Sequence, residues 1–354
     1  MVPSWRFIAL STALLCLGSC GAFNARSGGT GDDHLIGGPD NDNLSGGDGD
    51  DVLEGRGGHD SLIGDRGNDT IYGGEGRDYI RAGDGDDIIH AGGGDDGFLN
   101  EVNPATGQIT TMPVSGGGGD NIIYGDGGND KLKGQHGDDR IYGGIGNDLV
   151  DGGGGNNLLD GGDGDDVLDA EAGRDKLYGG SGNDRLEAGA GDDHADGGAG
   201  NDSLSGEAGN DVLFGGAGDD LFYGGDGNDE IRGDAGNDKL IGDAGADQLW
   251  GGAGADWFSF KGAGALRGTD RIRDFEDGID RIVLEKLGIS RYAPGGGNGT
   301  IFASDAANGD VVLHGRTSTG AALTIEIADH DGSLSAASFS SADFIFALDA
   351  KPGA

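Results

Sequence analysis

Between residues 28 and 259, with one break, the chain places a single large apolar side chain every nine positions among glycine and polar residues, as in GGAGNDSLSGEAGNDVLF (197–214). Each apolar residue sits at the centre of an x-U-x triplet. That triplet predicts a very short strand, its middle side chain pointing one way and its flanks the other. The six residues between triplets must turn the chain sharply, which calls for glycine wherever φ is positive. One apolar residue per strand makes a core too thin for a single unit to bury, so the units must stack.

In the frame G-G-x-G-x-D-x-U-x, eight units run over 28–99 and sixteen over 116–259. The sixth position is Asp in 22 of these 24 units, Asn121 and Asn157 being the exceptions. Gly fills the fourth position in all but Asp40, and a large apolar residue the eighth in all but Ala195. Three phases are thus held together over 216 residues, with Leu204, Leu213, Phe222, Ile231 and Leu240 as examples of the predicted spine.

Composition sharpens this picture. The 354 residues include 82 glycines, hydrophobic residues make up only 34%, and the net charge is −41. Such a balance suggests disorder when read without the period, but a fixed repeat points to a solenoid. The charge excludes nucleic acid as a partner and disfavours anionic membrane surfaces. Scattered acids would only solvate a surface. Here Asp is concentrated at one phase of the repeat, which favours cations. The two cysteines, Cys16 and Cys20, precede the repeats, so no disulfide framework braces them.

The nonapeptide resembles the RTX (repeats-in-toxin) calcium-binding repeat. The resemblance implies an all-β fold, a calcium-stapled parallel β-roll in which unit n stacks on unit n+2. About twelve coils would then make a rod roughly 55–60 Å long at the usual strand spacing. It also implies that the sixth-position carboxylates and backbone carbonyls of stacked turns hold Ca²⁺. The aspartates concerned are Asp33, Asp42, Asp51, Asp60, Asp69, Asp78, Asp87 and Asp96 in the first run. In the second they are Asp130, Asp139, Asp148, Asp166, Asp175, Asp184, Asp193, Asp202, Asp211, Asp220, Asp229, Asp238, Asp247 and Asp256. Pairs two units apart number 6 in the first run and 14 in the second, so the count reaches 20 potential sites. Asn121 and Asn157 keep a ligating oxygen but lose a charge, and weaker sites are expected there. Calcium suits such an irregular oxygen set, whereas magnesium demands tight octahedral geometry. Zinc lacks its nitrogen and sulfur ligands, the seven histidines being scattered. Without the ion, rows of carboxylates repel, so folding should depend on calcium.

The ends carry other signals. Residues 1–20, MVPSWRFIALSTALLCLGSC, resemble a Sec signal peptide, with Arg6 before an apolar run too short to span a bilayer. LGSC at 17–20 is similar to a lipoprotein cleavage site, which would make Cys20 a lipid anchor; no transmembrane segment is expected elsewhere. Residues 100–115 break the period and predict a projecting hairpin, a tolerated insertion or else a contact site. From 260 to 354 the chain predicts a small antiparallel β cap, since a stacked array needs a closed terminus. Within it, TDRIRDFEDGIDRIVLEKLG (269–288) resembles the module that follows the roll in serralysin-type proteins, and SLSAASFSSADFIFALDA (333–350) resembles a type I secretion signal. Family proteins exported that way normally lack a Sec leader, so the two ends disagree on route while agreeing on export.

One outward ladder adds a second ligand class. Tyr124, Tyr142, Tyr178, Phe214 and Trp250 share the ninth position of units that stack. They predict either cross-strand packing that stiffens the sheet or a platform for polysaccharide. No H-E-x-x-H or G-x-S-x-G occurs, so neither the protease half of serralysin nor an RTX lipase is matched. The expectation is a secreted or surface-anchored, non-enzymatic calcium-binding protein with a structural or adhesive role. Its rivals are a carbohydrate-binding module and, remotely, an enzyme within 260–354.

Overall fold

The computed structural model describes residues 24–97, 99–102, 109–262, 264–293, 296–329 and 334–347. The expected leader with Cys16 and Cys20, the tip of the inserted hairpin and the end of the secretion-like segment lie outside the described residues.

Each nonapeptide contributes one strand, and strands two units apart pair in parallel. Leu204 lies opposite Phe222, and Leu213 opposite Ile231. Alternate units therefore build two sheets, one of them fifteen strands long. The eighth-position side chains meet between the sheets as a continuous core. Leu213, Ile231 and even the small Ala195 are fully buried, while the flanking positions face outward. The result is the expected parallel β-roll.

Glycine is required at the turns for two reasons. At the fourth position Gly200 has φ 137°, outside the pocket that other residues can enter, and a methyl there would collide with the Gly182 carbonyl oxygen. The second position is milder. Arg56, Glu207 and Asp234 occupy it with φ of 84°, 69° and 68°, inside the left-handed region.

The break in the period is an excursion from one continuous roll. Leu99–Val102 pairs antiparallel with Ile109–Met112. The strand Val114–Gly118 then inserts between Tyr79–Asp84 and Lys131–His136. Val114, placed by sequence in the interruption, is fully buried opposite Leu132, so the ladder already resumes there.

Both ends are closed differently from the middle. The strand Asn24–Thr30 begins ahead of the first unit and sets Arg26 in register with Leu44, at the place of a core residue. The Arg26 guanidinium donates to the Ile36 carbonyl at 2.6 Å, a polar lid on the apolar spine. At the other end, the antiparallel expectation describes only part of the cap. Thr300–Asp305, Val311–Arg316 and Ala322–Ile327 do form an antiparallel meander. Asp270–Ile272 and Arg281–Glu285, however, continue the two parallel ladders of the roll. Phe344–Ala347 adds a further parallel strand beside Arg281–Glu285. The physical reason lies in the spine: Ile272 and Ile282 present the same inward apolar residue as any repeat. Phe275, Phe339 and Phe344 then close the core.

Candidate metal-binding rows

Stacking brings the sixth-position residues into two rows, one along each edge of the roll. One row runs Asp33, Asp51, Asp69, Asp87, Asn121, Asp139, Asn157, Asp175, Asp193, Asp211, Asp229, Asp247. The other runs Asp42, Asp60, Asp78, Asp96, Asp130, Asp148, Asp166, Asp184, Asp202, Asp220, Asp238, Asp256. In each step the backbone N–H of one member donates to Oδ1 of the next, as Asp220 does to Asp238 at 2.8 Å. The rows cross the insertion without a gap, Asp96 donating to Asp130 at 2.7 Å across 34 residues.

The other carboxylate oxygen is what marks these turns. In 21 of the 22 aspartates, all but Asp33, one side-chain oxygen is buried with no hydrogen-bond partner among the described residues. Buried polar atoms in native proteins are nearly always satisfied, and an unpaired buried charge is costlier still. A whole row of orphan oxygens therefore calls for a cation. The orphans also face backbone oxygen. The pairing register steps from Tyr223 opposite Ile241 to Gly225 opposite Asp243, passing over the first-position Gly224. A methyl built there would lie 2.5 Å from Asp229 Oδ2 and 2.7 Å from the Gly242 carbonyl oxygen, so the two oxygens converge on one small space. Four units carry alanine at that position, Ala82, Ala91, Ala170 and Ala188, all fully buried, and there the oxygens must part around a methyl.

This donor set fits a hard cation and no softer one. It offers one carboxylate per turn plus carbonyls, and among the described residues no cluster of three or more His, Cys, Asp or Glu side chains exists. Zinc and other borderline metals would want such a cluster; calcium accepts mixed carboxylate and carbonyl oxygen.

Electrostatics agree. Burial pushes the Asp87 carboxyl up to about 7 and Asp130 to about 8; neighbouring carboxylates push the same way, against the backbone N–H bonds that hold the charged form. In the absence of an ion these groups compete for protons near neutral pH.

The two asparagines correct one expectation. Asn121 Oδ1 is already used, accepting the Asp87 N–H at 3.0 Å, and the place of the orphan oxygen is taken by Nδ2. Asn157 is oriented the same way by the Asp139 N–H. In both, the N–H of the preceding coil holds the amide oxygen, so the nitrogen takes the position where the aspartates carry their orphan oxygen.

Sequence reasoning missed several residues of these rows. Asp270 accepts the Asp247 N–H at 3.1 Å, and Asp280 accepts the Asp256 N–H at 3.0 Å, so each row extends one step into the C-terminal region. Spacings of 23 and 24 residues, where the repeat has 18, hid them. Asp280 ends its row: its second oxygen accepts the Glu276 N–H at 2.8 Å, leaving no orphan. The fifth position was also passed over as variable. Its Asn and Asp side chains form an exposed ladder running the opposite way, as Asp219 accepts the Asn237 N–H at 2.8 Å. The signal was visible, since Asn or Asp fills that position in most units.

The aromatic ladder is real but its geometry is that of packing. Tyr124 and Tyr142 stack at 5.0 Å with planes 10° apart, and the stack extends through His90 to Tyr72 with spacings of 4.7 and 5.1 Å. Trp250 is flanked by the guanidiniums of Arg232 and Arg273, 4.7 and 5.4 Å from its centroid. Tyr178 and Phe214 lie in the same ladder, each tilted against His194. From Tyr72 to Tyr142 the rings cover one another's faces, and guanidiniums cover Trp250; these faces are the surfaces a sugar would need. Tyr72 and His90 escaped the sequence reading because the pairing to Tyr124 spans the insertion.

Comparison with known proteins agrees with this geometry. The family model of the RTX calcium-binding nonapeptide repeat matches residues 27–62, 63–98, 115–150, 151–186, 187–222 and 223–258, more than half of the chain. None of the curated proteins matches. Among solved structures the chain is similar to the AlgE6R3 subunit of the Azotobacter vinelandii mannuronan C5-epimerase. Identity is 34%, over 41% of this chain and 83% of that one, with a TM-score of 0.33, too low to bear on fold or function. With buried carboxylate rows along both edges and the repeat model matched from residue 27 to 258, this chain belongs to the RTX calcium-binding nonapeptide-repeat family.

Proposed function

We propose that this protein binds many calcium ions along its two aspartate rows and, above neutral pH, folds only when they are bound, serving a structural or adhesive role outside the cell. The observation that carries the reading is the set of 21 buried carboxylates, each with an oxygen that no group among the described residues satisfies. The aspartates from Asp33 to Asp256 would supply one carboxylate oxygen per turn, and first-position backbone carbonyls would complete the shell. Calcium supplies the positive charge that lets like charges stack at strand spacing. Its binding energy is then folding energy.

Export is supported by the Sec-like residues 1–20 and by the resemblance of 333–350 to a secretion signal. A non-catalytic role is supported by the repeat's occupation of most of the chain. The polysaccharide reading gains no support, because the faces of the stacked tyrosines and of Trp250 are covered.

The test is far-UV circular dichroism of the purified chain titrated with calcium, with magnesium as control. A cooperative gain of β signal at roughly 0.1–1 mM calcium, the range of extracellular modules, and none with magnesium, is the expected result. A spectrum already β in chelator and indifferent to calcium overturns the reading.

A further inference from the structure

The two asparagines of the first row do more than weaken a site. Hydrogen bonds fix their orientation from both ends. Asn121 Oδ1 faces the Asp87 N–H, so Nδ2 points on along the row, donating to Asp139 Oδ1 at 2.9 Å and to the Gly119 carbonyl at 3.1 Å. Asn157 Oδ1 accepts the Asp139 N–H at 3.0 Å, and Nδ2 donates to the Gly153 carbonyl at 3.4 Å. Reversing either amide would set an NH₂ group against a backbone N–H, two donors facing each other.

The amide nitrogen therefore stands where the row's aspartates from Asp51 to Asp247 have their orphan oxygen. A methyl built on Gly116 would meet Asn121 Nδ2 at 2.6 Å, and one on Gly152 would meet Asn157 Nδ2 at 3.0 Å. At the first-position glycines followed by aspartate, the atom met there is a carboxylate oxygen. An amide nitrogen has no lone pair for a cation and two hydrogens that repel it. It also takes over the ion's task by donating to a carbonyl, and in Asn121 to the next carboxylate as well. Neither asparagine leaves a side-chain atom unsatisfied, unlike the aspartates around them.

We propose that Asn121 and Asn157 make two ion-free turns in an otherwise calcium-bound row, the side-chain amide standing in for the cation. This rests on the calcium reading above. The turns lead into Ile122–Gly127 and Leu158–Asp163, on either side of Arg140–Ile145, and the Tyr124–Tyr142 stack lies across the same strands. The middle of one sheet is thus held by amides and rings where the rest of the row depends on the ion.

Native mass spectrometry of the calcium-loaded full chain resolves individual bound ions and tests this directly. Asn121→Asp and Asn157→Asp should each retain one ion more than the wild type, and the double variant two more. Equal ion counts in variant and wild type overturn the proposal. Should an Asn→Asp chain fail to give the wild-type circular dichroism, Asp211→Asn in the same row is the reciprocal variant. It should fold and hold one ion fewer, and an unchanged count again overturns the proposal. A wild type that retains no calcium at all would instead refute the calcium reading itself.

Discussion

Asp202 accepts the backbone N–H of Asp184 on Oδ1 at 2.8 Å, while its Oδ2 is buried with no partner among the described residues. One half of the carboxylate is thus a staple between coils, and the other half is an unsatisfied charge. Repeated along both edges, this division makes the fold depend on whatever neutralises the second oxygen.

A proton can do so as well as a metal, which gives the first prediction. Burial raises Asp78 to about 6, Asp166 and Asp238 to about 7, and Asp130 to about 8, all above the ordinary 3.8. With folded values above unfolded ones, the ion-free roll binds more protons than the unfolded chain between about pH 4 and 8. Its stability is fully present below about pH 4 and is lost as pH rises through 6 to 8. Chelated protein should therefore show β structure by circular dichroism at pH 4 and lose it by pH 8. Calcium affinity should run the other way, falling on acidification, because the metal needs ionised ligands. Chelated protein that is equally ordered at pH 4 and pH 8 would contradict the argument.

The two kinds of turn position should respond oppositely. Gly200→Ala puts a methyl into the Gly182 carbonyl at φ 137° and should prevent local stacking, with a loss of several ions or of folding. Glu207→Gly relieves a left-handed non-glycine residue at φ 69° and should stabilise the calcium-loaded roll by about 0.5–1 kcal/mol. Thermal melts in saturating calcium distinguish them, and a neutral Gly200→Ala would discount the close approach.

Core truncation gives a third expectation. Leu213 is fully buried between Ala195 and Ile231. Leu213→Ala should cost about 2–5 kcal/mol, as at other buried leucines, and raise the calcium concentration needed for folding. A midpoint unchanged in calcium titration would mean that the spine contributes little beside the ions.

The ring stack yields the fourth. Tyr142→Ala should lower stability by about 0.5–1.5 kcal/mol, the range for an aromatic pair, with no change in retention on a glycan array. Selective loss of binding to a glycan at unchanged stability would restore the carbohydrate reading.

Much of the rows was legible because a nine-residue period carries register with it. Once Leu204 and Phe222 are known to stack, Asp202 and Asp220 must stack too. The reading broke where the spacing changed. Asp270 and Asp280 were hidden by 23- and 24-residue steps, and the Tyr72–His90–Tyr124 continuity by the insertion. The asparagines were misjudged for another reason: counting oxygens says nothing of which are already taken.

The sequence by itself determined the roll, its inward spine and the phase of its acids, because these follow from local periodicity in a fold whose units touch only their neighbours. Tertiary structure decided which carboxylate oxygen is stapled and which is orphaned, which way each amide points, and that ladder rings face one another. Those are matters of direction. They are set by hydrogen bonds and contacts between coils, which a residue's place in the period cannot specify.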